Sequence, residues 1–148
     1  MTLEAASPSD EPRIRQLLDL CGLPQEDLTP QHLRHFWVLK EKIEIIGVVG
    51  LEVFRGLALL RSLAIDPRFR KRGLAQKLTE KAEEYATSLE IKELYLLTGT
   101  AESFFLKRGY QRIERTSAPP EIQRTTEFQG LCPVSSMLMV KQLKGNRI

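Results

Sequence analysis

Leu63-Ala64-Ile65-Asp66-Pro67-Arg68-Phe69-Arg70-Lys71-Arg72-Gly73-Leu74-Ala75-Gln76 is where the chain changes character most sharply. An extended apolar run ends at Ile65, Asp66-Pro67 breaks it, a basic loop follows, and Gly73 opens a helix. Within that loop, Arg70-x-x-Gly73-x-Ala75 puts residues with little or no side chain where backbone N–H groups must approach a ligand closely. The amides and the dipole at a helix start form an anion site, and Arg70, Lys71 and Arg72 add charge around it. A pyrophosphate or a pair of phosphates suits such a site. A loop entering a helix can also carry a glycine and solvated bases with no ligand, so spacing alone leaves both readings open. The stretch is not a P-loop, because no Gly-Lys-Ser/Thr follows, nor is it a Gly-x-Gly-x-x-Gly fingerprint.

The charge balance sharpens this. The 148 residues carry +3, from 22 Lys plus Arg against 19 Asp plus Glu. Residues 66 to 77 hold five of the bases and one acid, a local +4 that leaves −1 for the other 136 residues. Charge gathered at one loop favours a small anion over a nucleic acid, which needs a spread-out basic stripe. With 42% hydrophobic and 28% charged residues, the chain can bury a real core and reads as one domain over 1–148. No apolar run reaches the ~18–20 residues of a membrane span. Met1 to Pro12 carries acids and no apolar stretch, so no signal peptide is expected. Cys21 and Cys132 do not make a disulfide framework. The expectation is a soluble cytoplasmic domain without membrane or nucleic-acid partners.

Outward from the loop, periodicity sets the elements. Upstream, Thr2 to Ala6 reads as a strand. Ser7 and Ser9 are N-cap candidates for a helix carrying Ile14, Leu17, Leu18 and Cys21 on one face, ending near Gly22 and Pro24. Thr29-Pro30 opens a second short helix. Phe36 to Lys40, Ile43 to Phe54 and Leu57 to Ile65 form an antiparallel meander, with turns at Glu41-Lys42 and Arg55-Gly56. The second and third of these strands are apolar on both faces, as in a sheet covered on both sides. Downstream, Leu74, Leu78, Ala82, Tyr85 and Leu89 form a helical stripe. Glu93 to Thr98 is a strand, Ala101 to Lys107 a helix, Gly109 to Ile113 a strand, and Met137 to Leu143 a last strand. Ser117 to Pro133 reads as a long loop. The order is α+β, with a βαβ-like crossover in the second half.

With these residues in place, the chain resembles the GNAT (GCN5-related N-acetyltransferase) superfamily. The strongest match is Arg61-Ser62-Leu63-Ala64-Ile65-Asp66-Pro67 running into Arg70-x-x-Gly73-x-Ala75. A second is Ala101 to Tyr110, where Phe-Leu-Lys-Arg-Gly-Tyr looks like the family's aromatic-x-x-x-Gly-aromatic helix end. The resemblance implies a three-layer fold: a mixed, mostly antiparallel central sheet flanked by helices and splayed after the fourth strand. It implies acetyl-CoA as cosubstrate and a small-molecule amine as acceptor, and it raises a homodimer. By the family pattern, the backbone of Leu63, Ala64 and Ile65 pairs with the pantetheine and polarises the thioester. Arg70, Lys71, Arg72, Gly73, Leu74, Ala75 and Gln76 hold the pyrophosphate, and Phe105 forms a wall beside the cofactor. A narrower likeness runs through 47–52, 59–63, 94–98, 126–128 and 131–133. Those segments look like the arsenic-resistance-associated branch, itself similar to amino-acid N-acetyltransferases of the N-acetylglutamate synthase type. That branch implies an amino acid or analogue as acceptor.

Two departures bear on mechanism. Many relatives carry a tyrosine where this chain has Phe105, and a glutamate where it has Leu59. Either the thiolate leaves without protein help, or other groups serve. Glu52 is the best remaining base, on a strand face shared with Ile46, Val48 and Phe54, where a carboxylate is partly desolvated. If Arg55-Gly56 is a two-residue turn, Glu52 opposes Leu59 and Arg61 is its diagonal neighbour on the same face. Two readings follow: a structural salt bridge, or Arg61 holding a substrate carboxylate while Glu52 takes the amine proton. His32 and His35 lack a third ligand, so no metal site is expected. Cys21 falls in the core stripe, and Cys132 is a thiol that could meet an arsenical. Arg112, Arg115 and Arg124 are solvated bases or part of a loop closing over the acceptor.

Overall fold

Ile14, Leu17 and Leu18 lie one turn apart, and the helix they imply, α1 (Glu11–Leu20), buries all three. In the computed structural model, which describes residues 1–131 and 135–144, α1 follows a 3₁₀ turn at Pro8–Asp10. That turn is tied by the Ser7 N–H donating to Asp10 Oδ2 at 2.8 Å. The helix ends at Gly22, whose φ of +69° suits a residue without Cβ. The second helix, α2 (Pro30–Leu33), is capped by the Thr29 hydroxyl, which accepts from the His32 N–H at 3.3 Å.

Seven strands follow the order β1-β2-β3-β4-β5-β7-β6. They are β1 (Thr2–Ala5), β2 (Phe36–Glu41), β3 (Glu44–Val53), β4 (Leu57–Ile65), β5 (Glu93–Thr98), β6 (Gln111–Ile113) and β7 (Met137–Gln142). β1 with β2, β2 with β3, β5 with β7 and β6 with β7 all pair antiparallel. The sheet is mostly antiparallel with flanking helices, as expected. The helices of the second half are α3 (Leu74–Ser88), α4 (Glu102–Leu106) and α5 (Pro120–Gln123).

Two compact units organise these elements. The first comprises Met1–Glu52 and Leu60–Tyr85. Its core joins Ile14, Leu17 and Leu18 to Leu28, Leu33, Phe36, Val38, Ile45, Val48 and Ala64. Gly50 is required there, because a Cβ would land on the Phe36 ring. The second comprises Val53–Leu59 and Ala86–Ile148. Its core gathers Leu57, Leu59, Tyr95, Ala118, Ile122 and Leu138.

Four details differ from the sequence expectation. The β2–β3 turn is Lys42-Ile43, since Glu41 pairs with Glu44, and a register shift between Leu39 and Lys40 absorbs one residue. Leu89 lies beyond the end of α3 and is exposed, while Ala86 is fully buried on that helix. Ser117 to Pro133 is not a plain loop. It holds the end of a 3₁₀ turn (Arg115–Ser117), α5, and a π-type turn (Glu127–Leu131), and it buries Ala118 and Ile122. Arg115 is half-buried and held: it donates to the Ser136 and Phe128 carbonyls, both at 3.1 Å, and lies over the Phe128 ring. The Cys132 reading lies outside the described residues. Among the described residues no helix is long and apolar enough to cross a membrane.

Candidate active site

The first part of the site is built by the end of β4. Ser62 sits in the strand, buried, with φ of +60°, a left-handed conformation that interrupts the pleat just before Leu63. Ala64 and Ile65 are buried and Leu63 half-buried. The Ile65 carbonyl faces the Cys21 thiol and the Arg70 Nε, each at 3.4 Å. Asp66 then ends the strand and caps a 3₁₀ turn (Pro67–Phe69) by accepting from the Arg68 N–H at 2.9 Å. Its Oδ2 also accepts from Arg13 and from Arg68 Nη2, each at 2.9 Å. The bonds from Arg68 hold this carboxyl well below the usual carboxylate range, against the opposing effect of burial, with Arg13 adding to them.

Beyond this anchor the loop turns twice through left-handed backbone, at Lys71 (φ +65°) and Gly73 (φ +75°). These two left-handed residues flank Arg72 at the entry to α3. Gly73 begins the helical ladder by accepting from the Lys77 N–H at 3.2 Å, so the amides of Leu74 and Ala75 point out of the helix start. Arg70, Lys71 and Arg72 are exposed around it. Arg68 and Arg72 lie over Phe69, their guanidinium carbons 5.4 and 5.2 Å from its ring centroid. Gln76 uses its side chain on Glu80 at 3.1 Å. Phe105 belongs to the second unit, buried edge-on against Phe104 and Tyr110.

The second part is built on Glu52 of β3 and Arg61 of β4, both in the first unit. The Phe54 N–H donates to the Leu57 carbonyl at 2.9 Å across Arg55-Gly56, with Gly56 at φ +79°, so the turn is the two-residue one expected. Glu52 and Arg61 meet: Arg61 Nη1 is 2.9 Å from Glu52 Oε2. Asp27 joins them, unforeseen, with Arg61 Nη1 and Nη2 donating to its two oxygens at 2.6 and 2.8 Å. Arg61 Nε donates to Ser62 Oγ at 3.1 Å, and the guanidinium is fully buried. His32 completes the cluster, its Nε2 3.9 Å from Glu52 Oε1. His35 turns elsewhere, with Nδ1 2.7 Å from the Tyr85 hydroxyl.

Sequence reading missed Asp27 and His32. Asp27 sits in an aperiodic loop, and nothing local marks it. The usable signal was Arg61 itself: a guanidinium on a strand buried on both faces needs more than one carboxylate. Burial pushes the Asp27 carboxyl up, but its bonds to Arg61 and that charge outweigh it, and it sits below the usual range.

Arg61 sets one guanidinium against the two carboxylates of Asp27 and Glu52. Glu52 exposes 13% of its side chain, and its Oε1 lies 3.9 Å from His32 Nε2. Asp27, His32 and Glu52 offer ligand atoms within 4.8 Å of one another. Two features oppose a metal ion there. Arg61 already places a positive charge between the carboxylates. The Thr29 N–H donates to His32 Nδ1 at 3.0 Å, which puts the ring proton on Nε2, the nitrogen that a metal would need bare.

Comparison with known proteins places this arrangement. Residues 32–112 match the family described as "Acetyltransferase (GNAT) domain". An uncharacterized N-acetyltransferase of Chlorobaculum tepidum is 35% identical over 95 residues, 64% of this chain and 61% of that protein. An amino-acid acetyltransferase of Aeromonas salmonicida is 30% identical over 96 residues, which is 64% of this chain but 22% of that protein. The chain thus spans less than two thirds of either relative. Among solved structures, N-acetylglutamate synthase from Neisseria gonorrhoeae, complexed with coenzyme A and N-acetyl-glutamate, aligns with TM-score 0.84 and 20% identity over 97% of this chain and 35% of that one. A Mycobacterium tuberculosis protein in complex with CoA aligns with TM-score 0.82 and 23% identity over 97% of this chain and 100% of that one. At these identities the structures share the fold, while the family match covers more than half of this chain: it belongs to the GNAT acetyltransferase family.

Proposed function

We propose that residues 1–148 act as a single acetyltransferase domain that moves the acetyl group of acetyl-CoA to the amine of a small acceptor by direct attack. The observation that carries this is the paired left-handed turn at Lys71 and Gly73 opening α3, with three exposed cations around it. It fits a pyrophosphate, and the opening of the sheet that the family implies would leave the backbone of Leu63–Ile65 for the pantetheine arm. The Ser62 kink reorients that backbone. Phe105, where many relatives carry a tyrosine, has no proton to give.

In the reaction the neutral amine nitrogen forms a bond to the thioester carbonyl carbon, the carbon–sulfur bond breaks with its electron pair going to sulfur so that CoA leaves as the thiolate, and the amine proton goes to Glu52 Oε1. The protein contributes mainly position and polarisation, with proton removal secondary. No Cys/His or Ser/His pair among the described residues is placed to form a covalent intermediate. Arg61 has its donors on Asp27, Glu52 and Ser62. We therefore assign it to holding Glu52, in place of the substrate-carboxylate contact its sequence position suggested.

An amino acid or amino-acid analogue is the acceptor class that the similar amino-acid acetyltransferases support. The likeness to the arsenic-resistance-associated branch points to the same class, an amino acid or amino-acid analogue. The rival reading is an acyl-CoA sensor that has lost catalysis; Phe105 and the buried Leu59 favour it, because neither position offers a titratable group. Calorimetric titration with acetyl-CoA and CoA, followed by thiol release over a panel of L-amino acids and simple amines, separates them. Binding with thiol release is expected. Tight binding with no release on any amine overturns the enzyme reading.

A further inference from the structure

We propose that His32 is a positioning residue for Glu52, locked in one tautomer by the cap of α2 so that it presents a proton donor to the base. The inference rests on the reading of Glu52 as that base. Thr29 and His32 form a reciprocal cap. The Thr29 hydroxyl accepts from the His32 N–H, and the Thr29 N–H donates to His32 Nδ1. An Nδ1 that accepts cannot carry the proton of a neutral ring, so Nε2 carries it and points at Glu52 Oε1. At 3.9 Å this is an electrostatic contact longer than a hydrogen bond. The Glu χ3 torsion is soft, so a small rotation of the carboxylate closes it.

Glu52 is thus gripped from both sides, with Arg61 on Oε2 and His32 on Oε1. The groups facing it are Arg61 from β4, His32 from α2 and, through Arg61, Asp27 from the preceding loop. The tautomer excludes His32 as a second base: its Nε2 already holds a proton. It also links a local capping motif to a strand residue 20 positions away. Helix caps ordinarily place Gln or Glu at this third position. That preference makes the cap separable from the donor.

His32→Gln keeps a cap acceptor on one side-chain atom and an N–H donor on the other. His32→Glu keeps the cap acceptor but faces Glu52 with a second carboxylate. The test measures thermal melts, kcat and KM for these variants, for Glu52→Gln and for the His32→Glu/Glu52→Gln double variant. It uses acetyl-CoA and the fastest amine of the acceptor panel. Expected are a melt like the parent for His32→Gln and a lower one for His32→Glu, near-parent kcat for His32→Gln, and a kcat of the folded protein reduced about tenfold or more for His32→Glu with KM for acetyl-CoA unchanged. The double variant should lose little beyond Glu52→Gln. If Glu52→Gln is impaired while His32→Glu turns over like the parent, or if His32→Gln is as poor as His32→Glu, the inference is overturned and the base reading survives. If Glu52→Gln itself turns over like the parent, the base reading falls and takes the inference with it. Nitrogen-15 NMR of the unmodified protein gives an answer independent of folding in the variants: the Nε2–H tautomer supports the inference, and the Nδ1–H tautomer refutes it.

Discussion

Arg61 has its guanidinium fully buried between Asp27 and Glu52. Removing it leaves two carboxylates facing each other with their compensating charge gone. Arg61→Met should cost about 3–5 kcal/mol, read as a lower urea midpoint at unchanged slope. Arg61→Lys should recover part of that, since an ammonium cannot reproduce the fork on Asp27. An Arg61→Met variant as stable as the parent would mean that the three-way pairing contributes nothing. Ser62 offers a complementary test, because its φ of +60° is tolerated by glycine and not by a β-branched residue. Ser62→Gly should retain acetyl-CoA binding, while Ser62→Val should lose it and about 1–3 kcal/mol of stability. Titration calorimetry and urea melts read both. Glu52 next to Arg61 was legible as a pair from turn length and strand period. Asp27 and His32 were not: a single acid in an aperiodic segment carries no local signature, and a four-residue helix does not reveal what its histidine meets.

α3 and the loop feeding it bring the exposed charge together. Arg72→Glu should weaken acetyl-CoA binding about tenfold or more while leaving the melting temperature nearly unchanged, since the side chain reaches solvent. An unchanged dissociation constant would remove the loop from the cofactor site. Elements with a sustained period were readable: α1, α3, β3 and β4 appear within a residue or two of expectation. The β2–β3 turn lies one residue beyond expectation because Ile43, apolar and so read as a strand residue, is an exposed turn residue. α5 is one turn long, too short for any helical period to show.

Across the molecule, Asp66 and Asp27 both sit below the usual carboxylate range in the fold. A depressed folded value stabilises at pH above the unfolded value, about 3.9, and that stabilisation drains away as pH falls below it. The melting temperature should therefore drop on acidification below about pH 4, and Asp66→Asn should lower the neutral-pH melt while flattening the acid decline. Circular-dichroism melts from neutral to acid pH check this. A melting temperature that rises on acidification contradicts the sign. The basic loop and the helix start it feeds were determined by the sequence itself, because a glycine turn opening into a periodic helix is a contiguous, local structure. The strand order that inserts β7 between β5 and β6, and the meeting of Asp27 with Arg61 34 positions away, were decided only by the tertiary structure. The reason is physical. A buried guanidinium takes whichever carboxylate the packed chain brings within about 3 Å, and that choice is made by how the layers close.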